Sequence, residues 1–356
     1  MNVGSLFSGV GGIDLGLELA GMRVLWQVEY DKYCQSVLRH RFPGTEIYGD
    51  VREVGWANSE HTRESRPAVQ QRAESPEPDT GRRDRDAGTG TARPGLARVD
   101  LICGGFPCQD LSVAGNRAGL AGERSGLWYE FHRIIGEIMP KWVLIENVPG
   151  LLSSNGGADL AIVLSGLAQL GYGWSYRILD SQYFGVAQRR RRVFIIGCLG
   201  DAGTAFRALH PVGTCLPGHP APSRETREGT TGSTTGVPRI CGTLSDGAHM
   251  GGGLNGQDAY TGRIIPQQSA PRRLTPRECE RLQGFPDDWT LVEHKGKPMS
   301  DGPRYRMMGN AVTTTVAEWI GRRILEVENG TDEGVDGTDE GVASGRGRQA
   351  RSGERE

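Results

Sequence analysis

The chain reads as an α/β protein: a doubly wound, Rossmann-like sheet domain with a smaller, irregular domain attached. Three observations predict this. Short apolar runs alternate with stretches of helical period from Asn2 to about Gly200. A glycine turn, "FSGVGG" from Phe7 to Gly12, follows the first apolar run, where such folds bring backbone close to a ligand. Beyond Gly200 the periodicity fails through a Gly/Thr/Pro-rich stretch and returns only near Thr275.

The elements follow in order. "NVGSL" is a strand entering the glycine turn, and "IDLGLELAG" a helix stopped by Gly21. "RVLWQVEY" is the second strand, "DKYCQSVLRHRF" a helix capped by Asp31, and "EIYGD" the third strand. Residues 53–98 are crowded with Arg, Glu, Pro, Gly, Ser and Thr and read as a disordered insertion between two strands of the sheet. Order resumes at "VDLICGGF", followed by the amphipathic helix "GLWYEFHRIIGEIM", the buried strand "KWVLIENV", a helix over Asp159–Leu170 and the buried strand "RRVFIIGCLG". Residues 1–200 form one domain on this reading, and 201–271 the irregular one. Helices over "TPRECERLQGF" and "AVTTTVAEWIGRRILEVE" return the chain within 272–328, and 329–356 reads as a disordered tail.

Bulk properties exclude several classes. A hydrophobic fraction of 37% with 54 glycines suits a globular body with poorly ordered segments, and a net charge of −2 argues against a uniformly basic nucleic-acid coat. The seven cysteines are odd in number and scattered, without metal-ligand spacing. No stretch reads as a secretion signal or a membrane span. A reduced, cytoplasmic protein without metal is expected.

Four stretches carry chemistry. Gly9, Gly11 and Gly12 let the first turn close tightly, and Glu29 stands about twenty positions after Gly9 at the end of the next strand, placed for ribose hydroxyls. Asp50 closes the third strand similarly and could meet an adenine amino group, so a nucleoside-containing cofactor is the better reading than a structural turn. In "LICGGFPCQDLSVAG", Cys108 follows Pro107 at a strand's carboxyl end. A free thiol there is either an inert buried group or a nucleophile that neighbouring amides and guanidinium groups help to ionise. Cys103 belongs to the apolar strand and to the core. In "LIENVPG", Glu146 tips a buried strand, where desolvation raises a carboxyl pKa. It either caps the next turn or protonates a bound ring nitrogen. In "QRRRRVFIIG", alternation puts Arg190 and Arg192 on one side and Arg189 and Arg191 on the other, so one pair can line a pocket.

These stretches, with "RRLTPRECERLQGFPDDW" and "GNAV", resemble in order the motifs of the C5-cytosine DNA methyltransferases. The resemblance spans Asn2 to about Glu328 apart from the insertion and the Gly/Thr-rich stretch. It implies a Rossmann-like methyltransferase domain with a target-recognition domain at 201–271. Phe7, Gly9, Gly11, Gly12 and Pro107 would then cradle S-adenosyl-L-methionine, Glu29 its ribose, and Asp50 with Val51 its adenine, with Asn310 completing the site. Cys108 would be the nucleophile, Glu146 would bind cytosine at N3 and its amino group, and Arg190 and Arg192 would support the flipped base and Glu146. Gln109, Ser112, Asn147 and Gln188 would touch the substrate, as would Thr243-Leu244 in the recognition domain, while the acids and arginines of "LTPRECERLQGFPDDW" would be structural.

The partner implied is double-stranded DNA, acted on by a monomer in a bacterial or phage-infected cell, with no membrane or metal involved. A cognate restriction endonuclease stays open as a second partner. Methylation of tRNA cytosine and a catalytically silent DNA-binding paralogue are the alternatives. Retention of Cys108, Glu146, Arg190, Arg192 and the glycine turn together argues against the silent one.

Overall fold

The computed structural model describes residues 1–56, 95–107, 127–211 and 272–331, with the backbone of Ile264–Ile265. The rest of the 53–98, 201–271 and 329–356 segments, with the disorder expected of the first and last, lies outside the described residues.

Strands β1 (Asn2–Leu6), β2 (Arg23–Val28) and β3 (Glu46–Tyr48) pair in parallel on one side of the sheet. Two-residue strands β4 (Gly55–Trp56) and β5 (Gly95–Leu96) pair with each other. They hold Val54, Leu96 and Val99 in the core. The margins of the expected disordered insertion are therefore built into the body, because apolar residues at both ends have core to fill.

Strands β6 (Leu101–Gly104), β7 (Trp142–Asn147), β8 (Tyr172–Asp180) and β9 (Arg191–Leu199) complete a seven-stranded sheet of order β3-β2-β1-β6-β7-β9-β8. β6 joins β1 in parallel, so the chain builds outward from β1 in one direction and then reverses to the other side. That reversal leaves a crevice at the carboxyl ends of β1 and β6, where open α/β sheets bind ligands.

Helices α1 (Gly12–Leu19), α2 (Lys32–Arg41), α3 (Leu127–Ile138) and α4 (Ala158–Gln169) match the periodicity that predicts them. Asp31 caps α2 by accepting from the Tyr33 and Cys34 amides. On one sheet face, α3 buries Trp128, Phe131, Ile134, Ile135 and Ile138, each contributing about 1.5–3 kcal/mol of apolar burial. Three further helices are α6 (Pro276–Leu282), α7 (Asp301–Asn310) and α8 (Thr314–Glu328). α1 and α8 cover the opposite face. A third core joins α2 to α6 and α7 through Leu38, Phe42, Phe285, Trp289 and Met308.

The structure corrects the expected elements at three points. β8 is a strand that the sequence reading passes over, and β9 runs antiparallel between it and β7, so the sheet is mixed rather than wholly parallel. A short turn from Asp180 to Arg191 returns the chain as a hairpin, which no crossover helix needs to bridge. Helix α5 (Ala202–Leu209) packs Ala205, Ala208 and Leu209 into the α1–α8 core, so the sheet body continues past the expected boundary at Asp201. α7 is likewise unanticipated: Pro303 is tolerated in its first turn, and its buried Met307 and Met308 are too few to show a helical period.

Candidate active site

Two loops meet at the crevice. Leu6 ends β1 beside Gly104 at the end of β6, so the glycine turn and the "GFP" stretch leave the sheet side by side. Phe7 enters the turn at φ +55°, a left-handed conformation unusual for a side chain this large, and its ring packs edge-on against Phe131 at 6.2 Å. Gly9 follows at φ +57°, and its amide donates to Glu29 Oε2 at 2.7 Å while Asp31 N donates to Oε1 at 2.7 Å. Burial raises the Glu29 carboxyl above the ordinary glutamate value, against the pull of those amides.

The three glycines differ in what they permit. A Cβ on Gly9 would meet no atom within 4 Å, so the space over the turn is open. On Gly11, at φ +81°, it would strike the Phe42 ring at 2.5 Å, and on Gly12 the Val312 carbonyl oxygen at 2.4 Å. Gly9 leaves room for a ligand, whereas Gly11 and Gly12 let helix α2 and the "GNAV" segment close on the turn from behind.

Beyond Glu29 the sequence reading overlooks Tyr30, whose side chain is 73% exposed at the end of β2. An aromatic residue directly after a strand-end acid was the available signal. Asp50 accepts from the Arg52 amide at 2.9 Å and pairs with its guanidinium at 2.7 Å, which holds the carboxyl below the ordinary aspartate value. Val51 is buried, and its carbonyl accepts from Arg133 of α3 at 3.1 Å. Open space above Gly9, flanked by a partly buried acid and an exposed ring, fits a nucleoside-bearing cofactor.

On the other side of the crevice, Gly104 and Gly105 have separate duties. A Cβ on Gly104 would sit 2.2 Å from the Leu6 carbonyl oxygen, and on Gly105 it would sit 2.8 Å from Glu146 Oε2. The second glycine lets the Glu146 carboxylate lie against the loop that leads through Pro107. Glu146 is the next-to-last residue of β7, and its Oε1 accepts from Arg192 Nε at 3.0 Å. Burial pushes its carboxyl up, opposed by the charges of Arg192 and Arg190.

Arg190 is buried and Arg189 and Arg191 are exposed, the alternation read from the sequence. Gln188 is fully buried beside them in sequence. Asn147 is spent on backbone: its amide donates to the Phe106 carbonyl at 3.4 Å and its oxygen accepts from Val148 N at 2.8 Å, tying the two loops together. Pro107 is the last described residue of this loop; Cys108, Gln109, Ser112, Thr243 and Leu244 lie outside the described residues.

The C-terminal elements reach back to the crevice. Asn310 is the exposed last residue of α7, two positions before Val312 meets Gly12. Trp289 donates from its indole nitrogen to the Val10 carbonyl at 2.9 Å. The charged residues of "LTPRECERLQGFPDDW" pair among themselves and with neighbours, as in Arg272–Glu278 at 2.8 Å, Arg281–Asp287 at 2.6 Å and the buried Arg304–Glu280 at 3.2 Å.

Among the described residues no group of three or more His, Cys, Asp or Glu is placed to hold a metal ion, and no helix is long and apolar enough to cross a membrane.

The family model described as C-5 cytosine-specific DNA methylase matches residues 1–60, 73–246 and 223–326. Among curated relatives, the type II methyltransferase M2.BsuMI of Bacillus subtilis (strain 168) is 33% identical over 92% of this chain and 76% of its own length. M.HhaI of Haemophilus parahaemolyticus is 26% identical over 90% of this chain and 92% of its own length. Among solved structures, a putative DNA modification methyltransferase encoded within an E. coli prophage aligns with a TM-score of 0.54 at 20% identity, covering 92% of this chain and 99% of that one. The S. pombe Dnmt2 methyltransferase aligns at 0.56 and 17% identity, covering 92% of this chain and 99% of its own, a likeness of fold.

Proposed function

The chain belongs to the C-5 cytosine-specific DNA methylase family, and from that premise we propose how its own residues carry out the transfer. It is a DNA cytosine-5 methyltransferase, and its family uses S-adenosyl-L-methionine. In our reading Gly9 and Phe7 shape the cofactor's bed, Glu29 takes the ribose, and Asp50, Val51 and the ring of Tyr30 flank the adenine. Glu29 has lone pairs left after the Gly9 and Asp31 amides, and a carboxylate accepts up to about four hydrogen bonds. Asn310 and Pro107 close the cleft at either side. When bound there, the cofactor supplies an electrophilic methyl group.

Cys108 is the proposed nucleophile. C5 of cytosine does not attack a methyl donor unaided, so the Cys108 thiolate adds at C6, breaking the ring's aromaticity and placing electron density on C5. Glu146 holds N3 and the amino group and gives N3 a proton as charge builds on the ring. Arg192 fixes the orientation of that carboxyl, and Arg190 and Arg192 support the base. After transfer a base removes the C5 proton, the C5–C6 double bond re-forms, Cys108 leaves as thiolate and N3 returns its proton to Glu146. A stacked duplex would shield C6, so the cytosine must be extruded. Gln109, Ser112, Gln188 and the Thr243-Leu244 pair are proposed to line the path of that base. Asn147 serves it indirectly, by fixing the Phe106 carbonyl one residue before Pro107.

The observation that carries the reading is the Arg192–Glu146 pair, 3.0 Å apart at the sheet's carboxyl edge, with Gly105 leaving space for it. We place the reaction on duplex DNA in the cytoplasm of a bacterial or phage-infected cell, with one chain sufficient for one site. Expression in a methylation-free bacterial strain followed by bisulfite sequencing tests this. Protected cytosines within one repeated sequence are expected, whereas DNA without 5-methylcytosine beside newly methylated tRNA would replace the reading with its RNA alternative.

A further inference from the structure

A line of buried side chains leads from the base-binding edge of the sheet to the scaffold of the recognition region. The Arg190 carbonyl accepts from Ser181 N at 3.0 Å, and Ser181 Oγ lies 3.3 Å from that same oxygen. Ser181 Oγ is 2.8 Å from Thr313 Oγ1, which donates to Gln283 Oε1 at 2.8 Å. Gln283 Nε2 donates to the Met308 carbonyl at 2.9 Å. Ser181, Thr313, Gln283 and Arg190 are all 3% exposed or less.

Proton counting orders this line. Gln283 has its amide nitrogen on a carbonyl, so its oxygen needs a donor, and Thr313 has one hydroxyl proton to give. The Ser181 proton then goes to Thr313, and the Arg190 carbonyl keeps the Ser181 amide. The neighbouring threonine docks the same surfaces without reaching Ser181: Thr314 N donates to the Gln283 carbonyl at 3.0 Å and its hydroxyl to Gly284 O at 2.7 Å. Among the described residues, Thr313 joins Gln283, directly after α6, to Ser181, whose amide holds the Arg190 carbonyl one residue ahead of β9.

We propose that Thr313, acting through Ser181, is a positioning residue that fixes the start of β9, and with it the Arg192–Glu146 pair, relative to the α6–α7 scaffold. This inference rests on the proposed role of Glu146. Ser181, Thr313 and Gln283 touch no substrate in this reading, and the line ends on the backbone carbonyl of Arg190.

Three variants test it on the full chain with duplex DNA: Thr313→Val, Ser181→Ala and Thr313→Ser. Val keeps the shape and removes the hydroxyl; Ser keeps the hydroxyl. Thr313→Val is expected to lower kcat at least about tenfold, since small misplacements at a reacting centre carry penalties of that order or larger. Cofactor affinity, read by calorimetry, should stay within about threefold. Ser181→Ala should do the same, the double variant should add little, and Thr313→Ser should restore most of kcat.

A pH profile separates positioning from simple loosening. The charges of Arg192 and Arg190 lower the Glu146 carboxyl, so displacing them moves the alkaline limb of kcat upward. Wild-type kcat with an unmoved limb in Thr313→Val, or strictly additive losses in the double variant, would overturn the inference. If Thr313→Val does not fold, Ser181→Ala carries the same two readouts. A wild-type chain that leaves cytosine unmodified would instead end the functional reading, so the two failures are distinct.

Discussion

At the residue scale, the same physical rule gives Glu146 and Asp14 different consequences. Both are carboxylates that burial pushes up, but Glu146 has two arginine charges opposing the rise, whereas Asp14 has neutral hydrogen-bond partners and the like charge of Glu18. Asp14 accepts from Gln27 Nε2 at 2.7 Å and from Ser5 Oγ at 3.1 Å, and its pKa rises from 3.8 to about 6. Ser8 Oγ donates onward to Ser5 Oγ at 2.9 Å, so this acid lies under the turn that holds Gly9. Its folded pKa lies above its unfolded one, so the unfolded chain loses the proton first and stability falls as pH rises between about 4 and about 6. At neutral pH the penalty is complete, on the order of 2 to 3 kcal/mol. Asp14→Asn removes the charge, and its amide can donate to Ser5 while Gln27 still donates to its oxygen. Thermal unfolding is expected to show the variant more stable than wild type at neutral pH, with the gap closing by about pH 4. A gap that does not depend on pH would contradict this account of Asp14.

At the element scale, α6 and its following turn act as a strut behind the glycine turn. The Trp289 ring packs on Phe42 at 5.9 Å and Phe285 at 5.5 Å, lies under the Arg41 guanidinium at 5.1 Å, and gives its N–H to Val10. Trp289→Phe keeps an aromatic ring in that core and removes the donor. A buried carbonyl left without a partner costs about 1 kcal/mol or more, which corresponds to roughly fivefold or greater weakening of whatever the loop binds. Calorimetry with S-adenosyl-L-methionine is expected to show that loss while DNA affinity holds. Unchanged cofactor affinity would reduce Trp289 to a packing residue. This strut was not legible beforehand: "LTPRECERLQGFPDDW" announces a capped helix, and Thr275 does form a capping box with Glu278, but nothing local says which loop Trp289 will meet across the fold.

At the scale of the whole molecule, what could be read in advance was what local pattern determines. The apolar runs became β1, β2, β6, β7 and β9 and the amphipathic stretches became α1 to α4, because period and capping are written in neighbouring residues. β8 escaped because its exposed Tyr176 and half-covered Trp174 blur the alternation of an edge strand, and α5 because a glycine-rich surrounding masked one short buried face. The Arg192–Glu146 pairing was implied by the family resemblance, whereas the Ser181–Thr313 contact joins residues far apart in the chain and needed the fold. The topological reversal between β2 and β6 around β1 brings these distant motifs to one crevice, and every role proposed above depends on it.

Central to those roles is a transient bond between Cys108 and an extruded cytosine, with Glu146 holding the ring. The most direct measurement uses duplex DNA in which the target cytosine carries fluorine at C5, incubated with the protein and S-adenosyl-L-methionine. Because fluorine cannot leave as a proton does, the ring should stay attached to the chain. Peptide mass spectrometry is expected to place that adduct on Cys108. Attachment at any other residue, or methylation of ordinary cytosine with no trapped complex, would contradict the account.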